Sequence, residues 1–143
     1  MRFWDSSAIV PLLVHEPAHA TAVDEFGRDP DVIAWWATPV ECVSALARLE
    51  RDGALTAGDV REALRRLDAL AAAWHEIGPI APIRQRAIRL LRVHTLRAAD
   101  ALQLGAALVA AEDEPSSLPI VTFDERLALA AEREGLNVIQ PGG

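Results

Sequence analysis

Short, largely apolar runs separated by much longer stretches of helical periodicity are the feature that most limits this chain. That alternation is the mark of a parallel sheet wrapped by helices. Runs at Arg2–Trp4, Val32–Trp35, 119–122 and 137–139 are expected to be strands, the last of them at an edge. A further apolar run at 80–83 is flanked by Pro79 and contains Pro82, which confine any strand there to an edge.

Between the runs, helices are expected at 7–13, 18–26, 39–51, 57–74, 84–92, 96–112 and 125–134. Val60, Leu64, Leu67, Ala71 and Trp74 recur at three-to-four spacing and give the fourth helix one apolar stripe. Gly53 and Gly135 suit helix C-caps. With 143 residues, about half of them hydrophobic, no internal repeat and no linker, the chain reads as one α/β domain over 1–143.

Composition removes several kinds of chemistry. Cys42 is the only cysteine, so an internal disulfide and a cysteine-based zinc site are excluded. Pro17 breaks any helix that would set His15 and His19 on one face, which argues against zinc. All 14 basic residues are arginine, so no lysine is present for a Walker loop, a Schiff base or a receiver-type phosphate site. No basic-then-apolar leader opens the sequence and no run is long enough to span a membrane; the expectation is a soluble cytoplasmic protein.

A net charge of −7 argues against charge-driven binding to nucleic acid over a broad surface. An RNA would have to be met locally. Residues 77–99 hold no acid but contain Arg84, Arg86, Arg89, Arg92, Arg97 and His94, which makes them either a substrate track, with Arg86 and Arg89 at its centre, or an ordinary solvated helix face.

Four carboxylates stand out by position. Asp5 follows the first strand and Asp124 follows the strand ending in Thr122, which puts both at the carboxyl edge of a parallel sheet. Glu41 falls in the first turn of the third helix and Asp100 near the start of the sixth. Each has a structural alternative. Thr38-Pro39-Val40-Glu41 is also a capping box, and Asp5 and Asp124 precede helices that they could cap. Asp100 and Gln103 are the only polar residues from 98 to 111, so the helix is expected to be buried and Asp100 to need a metal, or a salt bridge to Arg97 or another arginine.

Should the four meet in one cleft, their mutual repulsion calls for a divalent cation. Magnesium or manganese suits oxygen ligands and retains waters that can meet a substrate phosphate.

Asp5-Ser6-Ser7-Ala8, Glu41 within Thr38-Pro39-Val40-Glu41-Cys42, the run Leu96-Arg97-Ala98-Ala99-Asp100-Ala101-Leu102-Gln103-Leu104, and Thr122-Phe123-Asp124 followed by Arg126-Leu127 occur in this order over essentially the whole chain. Together they resemble the PIN-domain nucleases, specifically the toxin ribonucleases of bacterial VapBC toxin–antitoxin pairs. The resemblance implies a three-layer α/β/α domain with a short, mainly parallel sheet, and hydrolysis of single-stranded RNA at a Mg²⁺ or Mn²⁺ site. It makes Asp5, Glu41 and Asp100 the leading metal ligands, with Asp124 completing the set directly or through water. Ser7 and Thr122 would hydrogen-bond the carboxylates or metal waters. A small antitoxin that inserts an element, often carrying an arginine, into the acidic cleft is also implied, as is a homodimer. One or both of Trp35 and Trp36 are read as core side chains at a strand end, with base stacking or dimer support as the alternative. The competing readings are an RNA-processing nuclease that is not a toxin and a non-catalytic α/β interaction module.

Overall fold

The computed structural model describes residues 1–142. Its five strands, β1 (Arg2–Trp4), β2 (Val32–Trp35), β3 (His75–Ile77), β4 (Ile120–Val121) and β5 (Val138–Ile139), form one sheet in the order β3-β2-β1-β4-β5. Every pairing is parallel, with Phe3 opposite Ile33 on one side and Ile120 on the other. Consecutive residues of a strand point to opposite faces, and the core divides accordingly.

Trp4, Ala34 and Val121 pack on helices α1 (Ser6–Leu13), α3 (Thr38–Arg51) and α4 (Ala57–Ala73), with Phe26 of α2 (His19–Arg28) joining from the side. Phe3, Ile33 and Ile120 pack on α5 (Ala81–Val93), α6 (Ala98–Ala110) and α7 (Glu125–Arg133). The result is the expected three-layer α/β/α domain. Helices following β1 and β2 cover one face and those following β3 and β4 the other, so the chain reverses direction across the sheet between β1 and β4. In open α/β sheets a crevice forms at that reversal, outside the carboxyl ends of the strands.

Local sequence explains most elements. Ala63, Leu67 and Trp74 are buried along α4, with Leu64, Leu70 and Ala71 packed against the same core. Thr56 caps that helix reciprocally with Asp59. Gly53 and Gly135 adopt φ of 79° and 92° just past α3 and α7. Gly105 serves another purpose: a Cβ there would lie 3.0 Å from the Ile83 carbonyl oxygen, so its absence lets α6 approach α5 closely.

Two expectations are corrected. Residues 80–83 are not a strand; they open α5, where Pro82 occupies a first-turn position that needs no N–H donor. The edge opposite β5 is formed instead by β3, His75-Glu76-Ile77, whose side chains are largely exposed and therefore carry no apolar alternation to reveal it. No helix among the described residues is long and apolar enough to cross a membrane.

Candidate active site

The crevice at the sheet reversal is an open cleft of about 960 Å³, and Asp5, Glu41, Asp100 and Asp124 all line it. Asp5 leaves the end of β1 and Asp124 follows β4, while Glu41 and Asp100 come from the first turns of α3 and α6. One wall is the face of α3 bearing Glu41, Ser44, Ala45 and Arg48, and α1 contributes Ser6, Ser7 and Val10.

Asp5 is 2% exposed and stands at the N-cap position of α1, yet its side chain makes no capping bond. Its carboxylate is held by Ser7 Oγ at 2.8 Å from Oδ1 and 3.0 Å from Oδ2. Ser7 in turn accepts the Phe123 N–H at 2.9 Å, and Thr122 Oγ1 accepts the Asp124 N–H at 3.0 Å. Ser7 Oγ and Thr122 Oγ1 are 3.2 Å apart, within hydrogen-bond distance of each other. The two hydroxyls thus tie the end of β1 to the end of β4.

Glu41 accepts from Ser6 Oγ at 3.0 Å through Oε1 and from Gln103 Nε2 at 3.2 Å through Oε2. The capping-box alternative does not hold. Thr38 lies inside α3 and is fully buried, its Oγ1 accepting from Gln103 Nε2 at 3.0 Å. Gln103 is the site residue missed from sequence, although its being one of two polar residues in an apolar helix was the signal. Asp124 does cap a helix, Oδ1 accepting the Leu127 N–H at 3.0 Å, which leaves Oδ2 uncommitted among the described residues.

Asp100 departs from expectation. Its turn of α6 projects from the core, so the carboxylate is half-buried and makes no ion pair with Arg97 within 4.0 Å; the fully buried polar residue of this helix is Gln103. Arg86 and Arg89 are not brought to the cleft. Arg86 is engaged by Asp113 and Arg89 by Glu134, which also takes the nearly buried His94 at 2.7 Å. Trp35 is core at 5% exposure and Trp36 is exposed at 53%.

The electrostatics are those of crowded acids. Burial, with a smaller contribution from Asp124, pushes Asp5 from its ordinary 3.8 up to about 7, even though Ser7 and Thr122 oppose the rise. Burial and the neighbouring Asp100 raise Glu41, and burial and Asp124 raise Asp100. Cys42 is buried, and its thiol is pushed to about 12, which removes it as a nucleophile.

The donor set fits a hard divalent cation. It consists of carboxylates and hydroxyls, with no histidine or cysteine lining the cleft. Among the described residues no three acidic, histidine or cysteine side chains converge closely enough to hold a metal as they stand. Asp124 Oδ2 carries no hydrogen bond among the described residues, and Asp100 is half-buried.

Residues 2–133 match the family described as PIN domain. The chain belongs to the PIN-domain family. This PIN domain is 32% identical to Ribonuclease VapC45 and Ribonuclease VapC49 of Mycobacterium tuberculosis, each over 137 residues that make up 95% of this chain and 92% of the relative. Its fold is shared with M. tuberculosis VapC20, described as a sarcin-ricin loop cleaving toxin, at TM-score 0.68 and 18% identity over 99% of this chain and 100% of that one. FitAcB from Neisseria gonorrhoeae superposes at TM-score 0.66 and 20% identity, over 99% and 98%.

Proposed function

We propose that this PIN domain is an endoribonuclease that hydrolyses single-stranded RNA with Mg²⁺ or Mn²⁺, and that it is the toxin of a type II toxin–antitoxin pair. The observation that carries the reading is the meeting of Asp5, Glu41, Asp100 and Asp124 in one cleft at the sheet reversal. The names of the two relatives support the ribonuclease assignment.

A bound divalent ion would supply positive charge to the scissile phosphate and lower the pKa of a water ligand. The chain's own part is to present and orient the carboxylates. Ser7 and Thr122 fix Asp5, and Ser6 and Gln103 clamp both oxygens of Glu41, so these two groups lose little freedom when an ion arrives. Asp124 would divide its work, Oδ1 capping α7 while Oδ2 stays available to an ion or to its water. In this reading Asp5, Glu41 and Asp100 ligate the ion, and Asp124 does so directly or through water.

A cognate antitoxin belongs to the same reading, because an acidic cleft receives a guanidinium well. Solved relatives of this fold include a toxin-antitoxin complex from Klebsiella pneumoniae at TM-score 0.66. The active form is proposed to be a homodimer.

The test is cleavage of a single-stranded oligoribonucleotide by the wild-type chain and by Asp100→Asn. Cleavage is expected with Mg²⁺ or Mn²⁺, is abolished by EDTA, and falls by orders of magnitude in the variant while its fold persists. Cleavage that ignores EDTA, or that survives in Asp100→Asn, overturns the metal-dependent assignment. Expression in bacteria should arrest growth, and co-expression of the small protein encoded beside it should relieve the arrest; growth unaffected by an active enzyme overturns the toxin assignment.

A further inference from the structure

The cleft is lined by arginines as well as by acids. Arg48, Arg97 and Arg126 line it, all three exposed. Among the described residues none of them lies in an ion pair or donates a side-chain hydrogen bond; Arg51, Arg61, Arg84, Arg92 and Arg133 are likewise unpaired, and what sets the three apart is that they line the cleft beside its carboxylates. This is unusual placement, because Arg97 stands one turn from Asp100 and Arg126 two residues from Asp124.

Two of the three also sit where helix physics disfavours them. Arg97 occupies the N-cap of α6 and makes no capping bond, at a position that favours Ser, Thr, Asp or Asn. Arg126 lies in the first turn of α7, where the helix dipole opposes a cation. Both lie close enough to Asp100 to favour its charged form, yet neither forms an ion pair with it. Arginines at such positions, unpaired and beside carboxylates, are explained by a ligand that needs them.

Their arrangement indicates the ligand's chemistry. Arg97 and Arg126 share the edge of the cleft formed by the starts of α6 and α7, next to Asp100 and Asp124. Arg48 is on α3, about two turns or roughly 10 Å beyond Glu41. Resting on the nuclease reading above, we propose that these three arginines are a split phosphate track that lays a single RNA strand across the acidic centre. Arg97 and Arg126 hold the backbone on one side of the bond to be cut, and Arg48 holds it on the other. The forked guanidinium suits phosphate oxygens, and the separation of the two anchors places the phosphodiester between them over the carboxylates. A net charge of −7 makes such local anchoring necessary, since the remainder of the surface repels a polyanion.

The track is tested by binding, apart from cleavage. In an Asp5→Asn background, the affinity of a labelled single-stranded oligoribonucleotide is measured across a salt titration for the parent, for Arg48→Gln, Arg97→Gln and Arg126→Gln singly and together, and for Arg86→Gln/Arg89→Gln. Each lost phosphate contact should flatten the slope of log affinity against log salt by about 0.7, so the triple variant should lose about 2. Affinity at low salt should fall at least tenfold, and the Arg86/Arg89 pair should match the parent. An unchanged slope in the triple variant, or an equal loss in the Arg86/Arg89 pair, overturns the proposal. Because the singles change only exposed side chains, they decide the question even if the triple variant folds poorly. Absence of metal-dependent cleavage in the wild-type chain, with the slopes changing as stated, would sink the nuclease reading and leave the phosphate track standing.

Discussion

Gln103 Nε2 reaches Glu41 Oε2 at 3.2 Å and Thr38 Oγ1 at 3.0 Å, so one buried amide of α6 fixes two residues of α3 beneath the cleft. Its Oε1 has no partner among the described residues, while the Glu41 carboxylate fixes the amide's orientation, since the opposite flip would turn an acceptor toward it. Replacing Gln103 by leucine removes those donors together with an unsatisfied oxygen, and should cost about 1 kcal/mol. Gln103→Glu instead sets a second carboxylate against Glu41 in a buried place and should cost several kcal/mol, recovering as the pH is lowered. Urea unfolding of the two variants at pH 5 and pH 8 checks both; equal stabilities would contradict the donor role.

Metal binding should appear as stability. At 100 times its dissociation constant, Mg²⁺ or Mn²⁺ should stabilise the native chain by about 2.7 kcal/mol through mass action. Potassium at matched ionic strength should not reproduce the effect, and Asp100→Asn should reduce it. Thermal melts of the wild-type chain that ignore millimolar divalent ions would count against a metal in this cleft.

Asp5 sets a pH dependence whose sign follows from its shift. Its folded value, about 7, lies above its ordinary 3.8, so the native state binds the proton more tightly than the unfolded chain does. The associated stability is complete below the ordinary value and is lost as pH rises through about 7. With EDTA present, the protein should therefore weaken between pH 4 and pH 7, by up to roughly 4 kcal/mol in all. The upward shifts of Glu41 and Asp100 act in the same direction. Stabilisation by a divalent ion should grow over the same range, because the ion competes with those protons. Asp5→Asn should flatten the metal-free profile; a wild-type profile that rises from pH 4 to pH 7 would show that Asp5 ionises freely.

Glu134 offers a control away from the cleft. Its bond to Arg89 is the main reason its carboxyl is held below the usual range, with His94 adding to the effect. Glu134→Gln should cost about 1 to 3 kcal/mol, since the nearly buried His94 loses a charged partner. Metal-dependent cleavage per folded molecule should be unchanged. Chemical denaturation and specific activity measured on one preparation separate the two effects.

Gly105→Ala tests the contact between α5 and α6. Alanine is the better helix former, but its Cβ would press on the Ile83 carbonyl oxygen at 3.0 Å, and that oxygen belongs to a packed helix that yields little. A net loss of about 1 to 2 kcal/mol is expected from denaturant melts; a gain would mean that α5 shifts easily.

The amino-acid sequence determined the layering of this protein and the ends of most of its elements. Those properties are written in local periodicity, caps and breakers, whose reach is one or two helical turns. It also placed Asp5 and Asp124 at strand ends, because a strand and the residues that follow it are contiguous. What touches what across the domain was decided only by tertiary structure. The amide of Gln103 meets Glu41 across 62 residues, and Ser7 meets Thr122 across 115, and no local pattern encodes such a distance. The same holds for charge. The acid-free run around Arg86 and Arg89 looks like a cationic surface when read along the chain, yet folding brings Asp113 and Glu134 onto those two arginines. Arg48, Arg97 and Arg126 are scattered in sequence, and folding leaves them unpaired along one cleft. An edge strand as exposed as β3 carries no apolar alternation, so only its hydrogen bonds to β2 make it a strand.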